Sequence, residues 1–239
     1  MLRGVVFDMD GVIVDSHAAH RRAWQQFLRT LGKDVPEEKL NFILEGRKRE
    51  EILRHFLGDL SPEQVAEYGK RKDEMLRKVE PNATPIRGVI QFLELLSANG
   101  IKIAVATSAS KDRTLGTLDC LGVSRYFSAV VTGCDVPKGK PDPAAYRLAA
   151  QRLALAPEEL LALEDAVSGV RAARTAGLKC VAVASNGQAQ ALLDAGADHV
   201  LPDFVGMSLA RLQTLWAAIE TKRAGGESHL RARSSAFSA

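Results

Sequence analysis

Long apolar runs are absent from this sequence, and no stretch reaches the length that a membrane-spanning helix needs. Cysteine is scarce as well: Cys120, Cys134 and Cys180 lie far apart and without the spacing of metal ligands. This disfavours a disulfide framework or a zinc site, and we expect three reduced packing residues. The N-terminus enters an apolar pattern without the features of a signal peptide, so we expect a cytoplasmic protein that has no membrane partner.

An excess of charge of one sign is also missing, because 32 Lys and Arg residues face 29 Asp and Glu residues and leave a net charge of +3. This balance does not favour a nucleic acid as partner. With 46% hydrophobic and 26% charged residues, the composition is typical of a globular protein. The 239 residues suffice for one domain with an insertion, and we expect a monomer. Residues 225–239, rich in Ser, Ala, Gly and Arg, are predicted to form a disordered tail.

The hydrophobic pattern predicts an α/β fold with an inserted helical domain. A short buried strand opens the chain, and from residue 89 onward predicted strands alternate with predicted helices. The later predicted strands are 101–106, 129–131, 160–163, 180–183 and 199–201. Such alternation is typical of a doubly wound, Rossmann-like parallel sheet. We therefore predict one domain from residues 1–15 and 86–224. Residues 16–85 carry only helical patterns and form an all-helical insertion, whose first helix Ser16 is expected to cap.

Two carboxylates end the first predicted strand. In an extended segment residues i and i+2 point to the same side, so Asp8 and Asp10 face one site. Two like charges that lie close repel each other unless a cation, a proton or a chemical task compensates. Gly11 then allows the backbone to turn or to approach a ligand. A pair of this kind can also be a simple acidic turn, and by itself the motif does not decide between the two interpretations.

Polar residues follow two later strands in the same way. Thr107 and Ser108 come after the strand at 101–106, where hydroxyls and free backbone N–H groups can hold phosphate oxygens, and Thr107 is the stronger candidate. Ser110 is expected to cap the next helix instead. Lys140 stands between a glycine and a proline on a rigid loop, where its ammonium group can neutralise a phosphate and a carboxylate. Asp142 is expected to cap the helix that follows.

A second pair of acids, Glu164 and Asp165, follows the strand at 160–163. In doubly wound sheets ligands bind beyond the carboxyl ends of the strands, so these two acids and the pair Asp8 and Asp10 converge there. Four converging acids repel one another strongly without a metal. Their oxygen atoms are the ligands that magnesium requires, and the implied cofactor is Mg²⁺.

Taken together, the motifs resemble those of the haloacid dehalogenase-like phosphatases and phosphomutases. The motifs are Asp8-x-Asp10-Gly11-Val12-x-x-Asp15, Thr107-Ser108, Lys140-Pro141-x-Pro143 and Leu163-Glu164-Asp165. The resemblance implies that Asp8 is the nucleophile and forms an aspartyl-phosphate, and that Asp10 is the general acid and base. It further implies that Thr107, Ser108 and Lys140 bind the phosphoryl group. The implied metal ligands are Asp8, Asp10 through its backbone carbonyl, Asp165, and Glu164 in or near that shell.

The same resemblance identifies residues 16–85 as a helical cap that closes over the site. Within the family, the stretches 20–24, 44–51 and 70–72 are most similar to the β-phosphoglucomutase-like branch. This implies that substrate contacts come from His20, Arg49, Lys72 and Lys111. The alternative for Arg49 is a solvated helix face with pairs between residues i and i+4.

We expect a magnesium-dependent phosphatase, a hydrolase of small phosphorylated metabolites, with sugar phosphates as the leading class. A β-phosphoglucomutase that interconverts β-glucose 1-phosphate and glucose 6-phosphate is the alternative. Arg47 and Lys48 stand where smaller residues are expected in the mutase, and this favours the phosphatase. A binding protein that keeps the fold without catalysis is a third hypothesis.

Overall fold

The computed structural model describes residues 1–79, 82–184 and 188–235. Within these ranges six strands form one parallel sheet in the order β3-β2-β1-β4-β5-β6. The strands are β1 Gly4–Phe7, β2 Lys102–Ala106, β3 Ala129–Val131, β4 Leu160–Glu164, β5 Lys179–Val183 and β6 His199–Leu201. The chain order reverses on either side of β1, which therefore lies at the topological switch point where ligands bind in such sheets. The predicted α/β fold is confirmed.

Helices cover both faces of this sheet and build the insertion. The α-helices are α1 His17–Thr30, α2 Arg49–Leu57, α3 Pro62–Val79, α4 Val89–Ala98, α5 Lys111–Cys120, α6 Ala144–Leu153, α7 Val167–Thr175, α8 Ala189–Asp194 and α9 Leu209–Ser235. The segments Glu37–Leu44, Ser124–Tyr126 and Pro157–Glu159 form 3-10 helices. The pattern at 37–44 was expected to be helical, and it adopts the tighter 3-10 form.

The side chains of β1 point alternately to two hydrophobic clusters. Val5 and Phe7 pack into one cluster with helices α4 and α9, and Val6 packs into the other with α6 and α7. All three side chains are fully buried. This explains the uninterrupted apolar run in the sequence, because a strand with helices on both faces has no solvent side.

The inserted helices have a hydrophobic cluster of their own. Trp24, Phe27 and Leu28 on α1 pack with Leu40 and Leu53 from the other inserted segments. A cap with its own core can move as a unit, because few of its apolar contacts depend on the sheet.

Two short linkers join the cap to the core, and they run side by side. The Asp15 N–H donates to the Thr84 carbonyl over 2.8 Å, and Val14 forms an antiparallel bridge with Pro85. Because both linkers cross from the cap to the core at the same place, we expect a hinge there.

The C-terminal segment differs from the prediction. Disorder was expected from residue 225, whereas the backbone of α9 is helical as far as Ser235. The segment 225–235 contains two glycines and three serines, so helix propensity does not account for this continuation. The rest of the predicted tail, 236–239, lies outside the described residues.

The cysteines are free, but only Cys180 packs in the core. Cys120 ends α5 and Cys134 lies in the loop after β3, and both are exposed, so the expectation of three packing residues is wrong for these two. Among the described helices, none has the length and apolar character to cross a membrane.

Candidate active site

Asp8 lies directly after β1 and is bound to a buried lysine. Its backbone N–H donates to the Leu163 carbonyl at 2.9 Å, which fixes the residue at the carboxyl end of the sheet. Lys140 Nζ donates to Asp8 Oδ1 at 2.6 Å and also to Glu164 Oε1. Burial by itself would lower the pKa of Lys140, but the two carboxylates outweigh it and raise that pKa above the usual value. Lys140 is therefore a permanent cation between two carboxylates.

Glu164 is fully buried, and protein donors surround its carboxylate. The Tyr146 hydroxyl donates to Oε1 at 2.5 Å, and the backbone N–H of Asp165 donates to Oε2 at 3.2 Å. A Cβ atom at Gly169 would collide with this carboxylate, so α7 can approach it only with glycine there. Glu164 thus holds Lys140 in place, and the lysine in turn contacts Asp8. Tyr146 was missed in the sequence because an aromatic residue on an apolar helix face indicates only core packing.

Three carboxylates at this end of the sheet fit a hard cation. One oxygen each of Asp8, Glu164 and Asp165 lies within 4.8 Å of the others. Carboxylate oxygens are the ligands that Mg²⁺ takes in proteins. Burial, opposed by Lys140 and assisted by Glu164 and Asp10, raises the pKa of Asp8 to about 7. The Asp10 carboxylate lies outside this cluster, and the implied contribution of its backbone carbonyl stays a prediction.

Besides the other acids of the cluster, Asp165 has a histidine neighbour that the sequence did not indicate. His17 Nε2 lies 2.8 Å from Asp165 Oδ2 and orients that carboxylate from the first turn of α1. Gly11 has φ +73°, and a Cβ atom at this position would collide with the same carboxylate. The turn after Asp10 therefore needs glycine both for its backbone conformation and for the close approach of Asp165.

Asp10 is bound by an arginine from α5. Arg113 Nη1 donates to Asp10 Oδ2 at 2.8 Å, Nη2 donates to Oδ1, and the Ser16 hydroxyl also donates to Oδ1. Burial would raise the pKa of Asp10, but Arg113 and then His20 hold it well below the usual value. Asp10 is thus an ionised carboxylate with both oxygens engaged. Ser16 makes no cap hydrogen bond, which corrects the prediction, because its backbone (φ −115°, ψ −3°) lies in the helical region and not in the extended conformation of an N-cap.

Arg113 was missed in the sequence because a charge in the first turn of a helix is usually solvated. Its position was the available signal: α5 starts just after β2, at the end of the sheet where the motifs converge.

The cap contributes two polar side chains next to Asp10. His20 Nε2 lies 3.5 Å from Asp10 Oδ1, and Lys72 Nζ lies 3.4 Å from His20 Nδ1. Burial, together with Lys72 and Arg113, lowers the pKa of His20 to about 3. Burial and then Arg113 lower the pKa of Lys72 to about 8. His20 is therefore neutral at pH 7.

Arg49 reaches the same cleft from the start of α2. Its Nη1 donates to Asp73 Oδ2 at 2.7 Å, and the Ser110 hydroxyl donates to the same oxygen at 3.3 Å. Ser110 makes no cap hydrogen bond, contrary to the prediction. Asp142 does cap, since its Oδ1 accepts the Ala144 N–H at 2.9 Å.

Thr107 and Ser108 line the cleft, and each hydroxyl is already engaged. Thr107 Oγ1 accepts the Ala109 N–H at 3.2 Å, and Ser108 Oγ donates to the Gly46 carbonyl of the cap at 2.6 Å. Lys111 begins α5 with its side chain exposed and is not among the residues that line the cleft, so the implied substrate contact stays a prediction. Between cap and core the cleft has a volume of about 670 Å³ including its open mouth.

The 45–48 loop of the cap contacts the core directly. Lys48 Nζ donates to the Val136 carbonyl at 2.8 Å, and the Ser168 hydroxyl donates to the Glu45 carbonyl. Together with the bond from Ser108 to Gly46, these contacts hold the cap against the mouth of the sheet.

The parallel sheet carries an aspartate, a bridging lysine and an acidic cluster at its carboxyl end, and an inserted helical cap covers this end. These features define a class of capped enzymes of phosphoryl transfer. The family model of the haloacid dehalogenase-like hydrolases matches residues 5–183. The chain belongs to this family, as the motifs indicated.

Curated relatives include two phosphatases. The chain is 34% identical over 210 residues to phosphorylated carbohydrates phosphatase of Thermotoga maritima, which covers 82% of this chain and 92% of that protein. It is 37% identical over 183 residues to hexitol phosphatase A of Escherichia coli, covering 76% and 82%.

Among solved structures, β-phosphoglucomutase from Clostridium difficile matches with a TM-score of 0.80 and 26% identity, covering 91% of this chain and 98% of that one. Phosphatases and phosphomutases are therefore both found among the similar proteins.

Proposed function

We propose that the protein is a magnesium-dependent phosphatase of small phosphorylated metabolites, with sugar phosphates as the leading class. The observation that carries the proposal is the buried chain of contacts from Glu164 through Lys140 to Asp8 at the mouth of the sheet. The activities named for the Thermotoga and Escherichia relatives agree with this substrate class.

Asp8 is the nucleophile in this proposal. Its carboxylate attacks phosphorus, and the bond to the leaving oxygen breaks as an aspartyl-phosphate forms. Lys140, 2.6 Å from Asp8 Oδ1, orients the carboxylate and stabilises negative charge on the phosphoryl oxygens, together with Thr107 and Ser108. Asp8, Asp165 and the Asp10 carbonyl, with Glu164 adjacent, would hold Mg²⁺, which supplies positive charge against those oxygens when bound.

Asp10 moves the protons. Asp10 first takes up a proton, gives it to the leaving oxygen in the first step and recovers one from the attacking water in the second. Its carboxylate is engaged by Arg113 and Ser16, so it has to leave these partners before it can serve the substrate. The cap, closed through its 45–48 loop, limits the access of bulk water during the first step.

Phosphate release from a panel of phosphate esters, with and without an excess of chelator, tests this function. We expect hydrolysis of sugar phosphates that needs Mg²⁺ and that Asp8→Asn abolishes. The exposed variant Asp34→Asn is the matched control and should keep full activity. Substantial turnover by Asp8→Asn, or full activity in chelator, would contradict the proposed roles.

A β-phosphoglucomutase is the second candidate, because the C. difficile mutase has the same architecture over almost its whole length. One experiment separates the two: β-glucose 1-phosphate is supplied with a trace of the 1,6-bisphosphate, and glucose 6-phosphate and free phosphate are followed together. The proposal predicts mainly free phosphate. Rapid isomerisation with little free phosphate would identify the mutase instead.

A further inference from the structure

Asp73 is a carboxylate of the cap that lines the cleft and that the proposed chemistry does not use. Its side chain is only 13% exposed. Asp73 Oδ2 accepts from Arg49 Nη1 at 2.7 Å and from the Ser110 hydroxyl at 3.3 Å. Lys72 Nζ lies 3.5 Å from the other oxygen, Oδ1. The two cap cations nearest to this carboxylate, Arg49 and Lys72, are therefore already paired with an acid of the protein.

Helix α3 has a notch that seats the guanidinium group of Arg49. Gly69 precedes Asp73 by four residues, so both lie on the same face of α3. A Cβ atom at Gly69 would collide with the Nε and Cζ atoms of Arg49. Glycine at this position therefore lets Arg49 lie directly against α3, beside Asp73.

The charges that line the cleft are balanced. Among the described lining residues, four basic side chains meet four carboxylates: Arg47, Arg49, Lys72 and Arg113 against Asp8, Asp10, Asp73 and Asp165. Arg113 is bound to Asp10. Arg47 Nε lies 3.0 Å from Glu45 Oε2. Each of the four basic side chains thus has a carboxylate partner, and none is left over for a second anionic group of a substrate.

The two histidines of the lining do not alter this balance on the cap side. His20 is neutral at pH 7, because burial and nearby cations lower its pKa to about 3. His17 Nε2 lies 2.8 Å from Asp165 Oδ2, at the acidic cluster of the sheet.

A second anionic group of a substrate would meet Asp73 itself. It reaches Arg49 or Lys72 only by displacing this carboxylate, and a like charge that stays close by costs binding free energy. A hydroxyl group, by contrast, can donate to Asp73. A carboxylate has about four acceptor positions, and the contacts with Arg49, Ser110 and Lys72 use three of them at most.

We propose that Asp73 determines the substrate class: it keeps the cap side of the cleft for an uncharged, hydroxylated group and rejects a second phosphate or a carboxylate. The inference rests on the proposed phosphatase function and narrows it to monophosphates of neutral sugars and sugar alcohols. Arg49 is then a positioning residue that holds Asp73. Selection of this kind comes from a repulsive group placed against the wrong ligand.

Two matched pairs of substrates test the proposal. Fructose 6-phosphate and fructose 1,6-bisphosphate differ by one phosphate, and glucose 6-phosphate and 6-phosphogluconate differ by a carboxylate. The wild type should prefer the neutral member of each pair by at least about tenfold in kcat/KM. Asp73→Asn keeps the shape and removes the charge, and it should reduce this preference by about 10 to 100-fold, mainly by lowering KM for the charged member. Glu74→Gln, an exposed acid on the same helix, is the control and should keep the wild-type preference.

The gain in Asp73→Asn should depend on Arg49, because the guanidinium group released from Asp73 is the group that binds the added anion. Arg49→Met in the Asp73→Asn background should therefore remove most of the gain. An equal loss of kcat/KM for both members of each pair in Asp73→Asn would overturn the proposal, since a purely structural role gives that result. A wild-type protein without preference for the neutral members would overturn it as well.

Binding gives a readout that does not need turnover. In the Asp8→Asn protein, titration calorimetry should show tighter binding of fructose 6-phosphate than of fructose 1,6-bisphosphate, and adding Asp73→Asn should remove or invert this difference. The preference without hydrolysis of any ester would refute the phosphatase and support the role of Asp73. Hydrolysis without the preference would support the phosphatase and refute that role. Binding of none of the esters would contradict both.

Discussion

At the scale of single residues, the site is defined by buried charges that depend on one another. Lys140 lies between Asp8 and Glu164, and Tyr146 completes the contacts of Glu164. Each of these groups would be costly to bury alone, because a charge without a partner loses its hydration. Function and stability are therefore linked at this point of the molecule.

Lys140→Met should reduce both stability and activity. Without the lysine two buried carboxylates face each other, and we expect a loss of about 3–5 kcal/mol in the free energy of unfolding, measured by urea denaturation without Mg²⁺. Turnover should fall by about 10² to 10³-fold, since a donor to the transition state is lost. Adding Glu164→Gln should restore part of the stability but not the turnover. A Lys140→Met protein as stable as the wild type would argue against a structural role of the Lys140–Glu164 pair.

Lys72→Met should raise stability, in contrast to Lys140→Met, and should weaken substrate binding. The pKa of Lys72 is lowered to about 8, so at pH 7 the charged form is disfavoured in the folded protein. We expect the free energy of unfolding to rise by up to about 3 kcal/mol at pH 7. The gain should shrink as the pH rises from about 8 towards the unfolded value near 10.5, where the lysine loses its charge in both states.

Denaturation of Lys72→Met and wild type between pH 7 and pH 10 measures this difference. A constant gain across the range would contradict the proposed cause. The exposed variant Lys70→Met on the same helix should show neither effect.

Part of the site could be predicted residue by residue, because Asp8, Lys140 and Asp165 stand in local motifs at strand ends. Arg113 and Tyr146 could not, since their partners lie 103 and 18 residues away and no local pattern records the pairing. Ser16 and Ser110 were assigned to the helix ends that they precede. Both hydroxyls donate to tertiary partners, Asp10 and Asp73, and neither oxygen accepts a cap hydrogen bond.

At the scale of elements, the strands were predicted well because their apolar runs are bounded by glycine and polar residues. The prediction failed where the sequence has no hydrophobic periodicity, as in the extension of α9 past residue 225. No local sequence pattern predicts the pairing of the linkers at Asp15 and Thr84, although the purely helical patterns of the inserted segment did predict the insertion itself.

The 45–48 loop is the element that connects cap closure to the core. Lys48→Met removes hydrogen bonds from Nζ to the Val136 and Pro137 carbonyls. We expect a rise in KM of about three to tenfold with little change in kcat, since a net hydrogen bond worth about 1 kcal/mol no longer favours the closed state. Steady-state kinetics on a hydrolysed sugar phosphate measure the split.

Arg54→Met, on helix α2 that follows this loop, removes a pair with an exposed partner; it is the control and should leave KM unchanged. An unaltered KM in Lys48→Met would show that these contacts do not limit closure.

At the scale of the whole molecule, the sheet domain and the cap meet at one charged cleft. The sheet supplies Asp8 and the acidic cluster, and the cap supplies His20, Arg49 and Lys72. A ligand held at the acidic cluster stabilises the folded chain as a whole, because the unfolded chain does not assemble the three carboxylates.

Mg²⁺ should therefore raise the melting temperature. At 100 times its dissociation constant we expect a stabilisation of about 2.7 kcal/mol, which is about 5–10 °C for a chain of this size. Asp165→Asn should abolish the shift, whereas the exposed variant Asp59→Asn should keep it. Differential scanning calorimetry with a magnesium titration measures the effect, and an equal shift in all three proteins would place the metal elsewhere.

The central claim, that Asp8 carries the phosphoryl group, is tested most directly by trapping the intermediate. The enzyme is mixed with a sugar phosphate that it hydrolyses, quenched and treated with borohydride, which reduces an acyl phosphate to the alcohol, and the peptides are sequenced by mass spectrometry. We predict homoserine at position 8, formed only after incubation with substrate and absent in the Asp8→Asn protein. Turnover without reduction at position 8, or reduction at another acidic residue, would contradict the account.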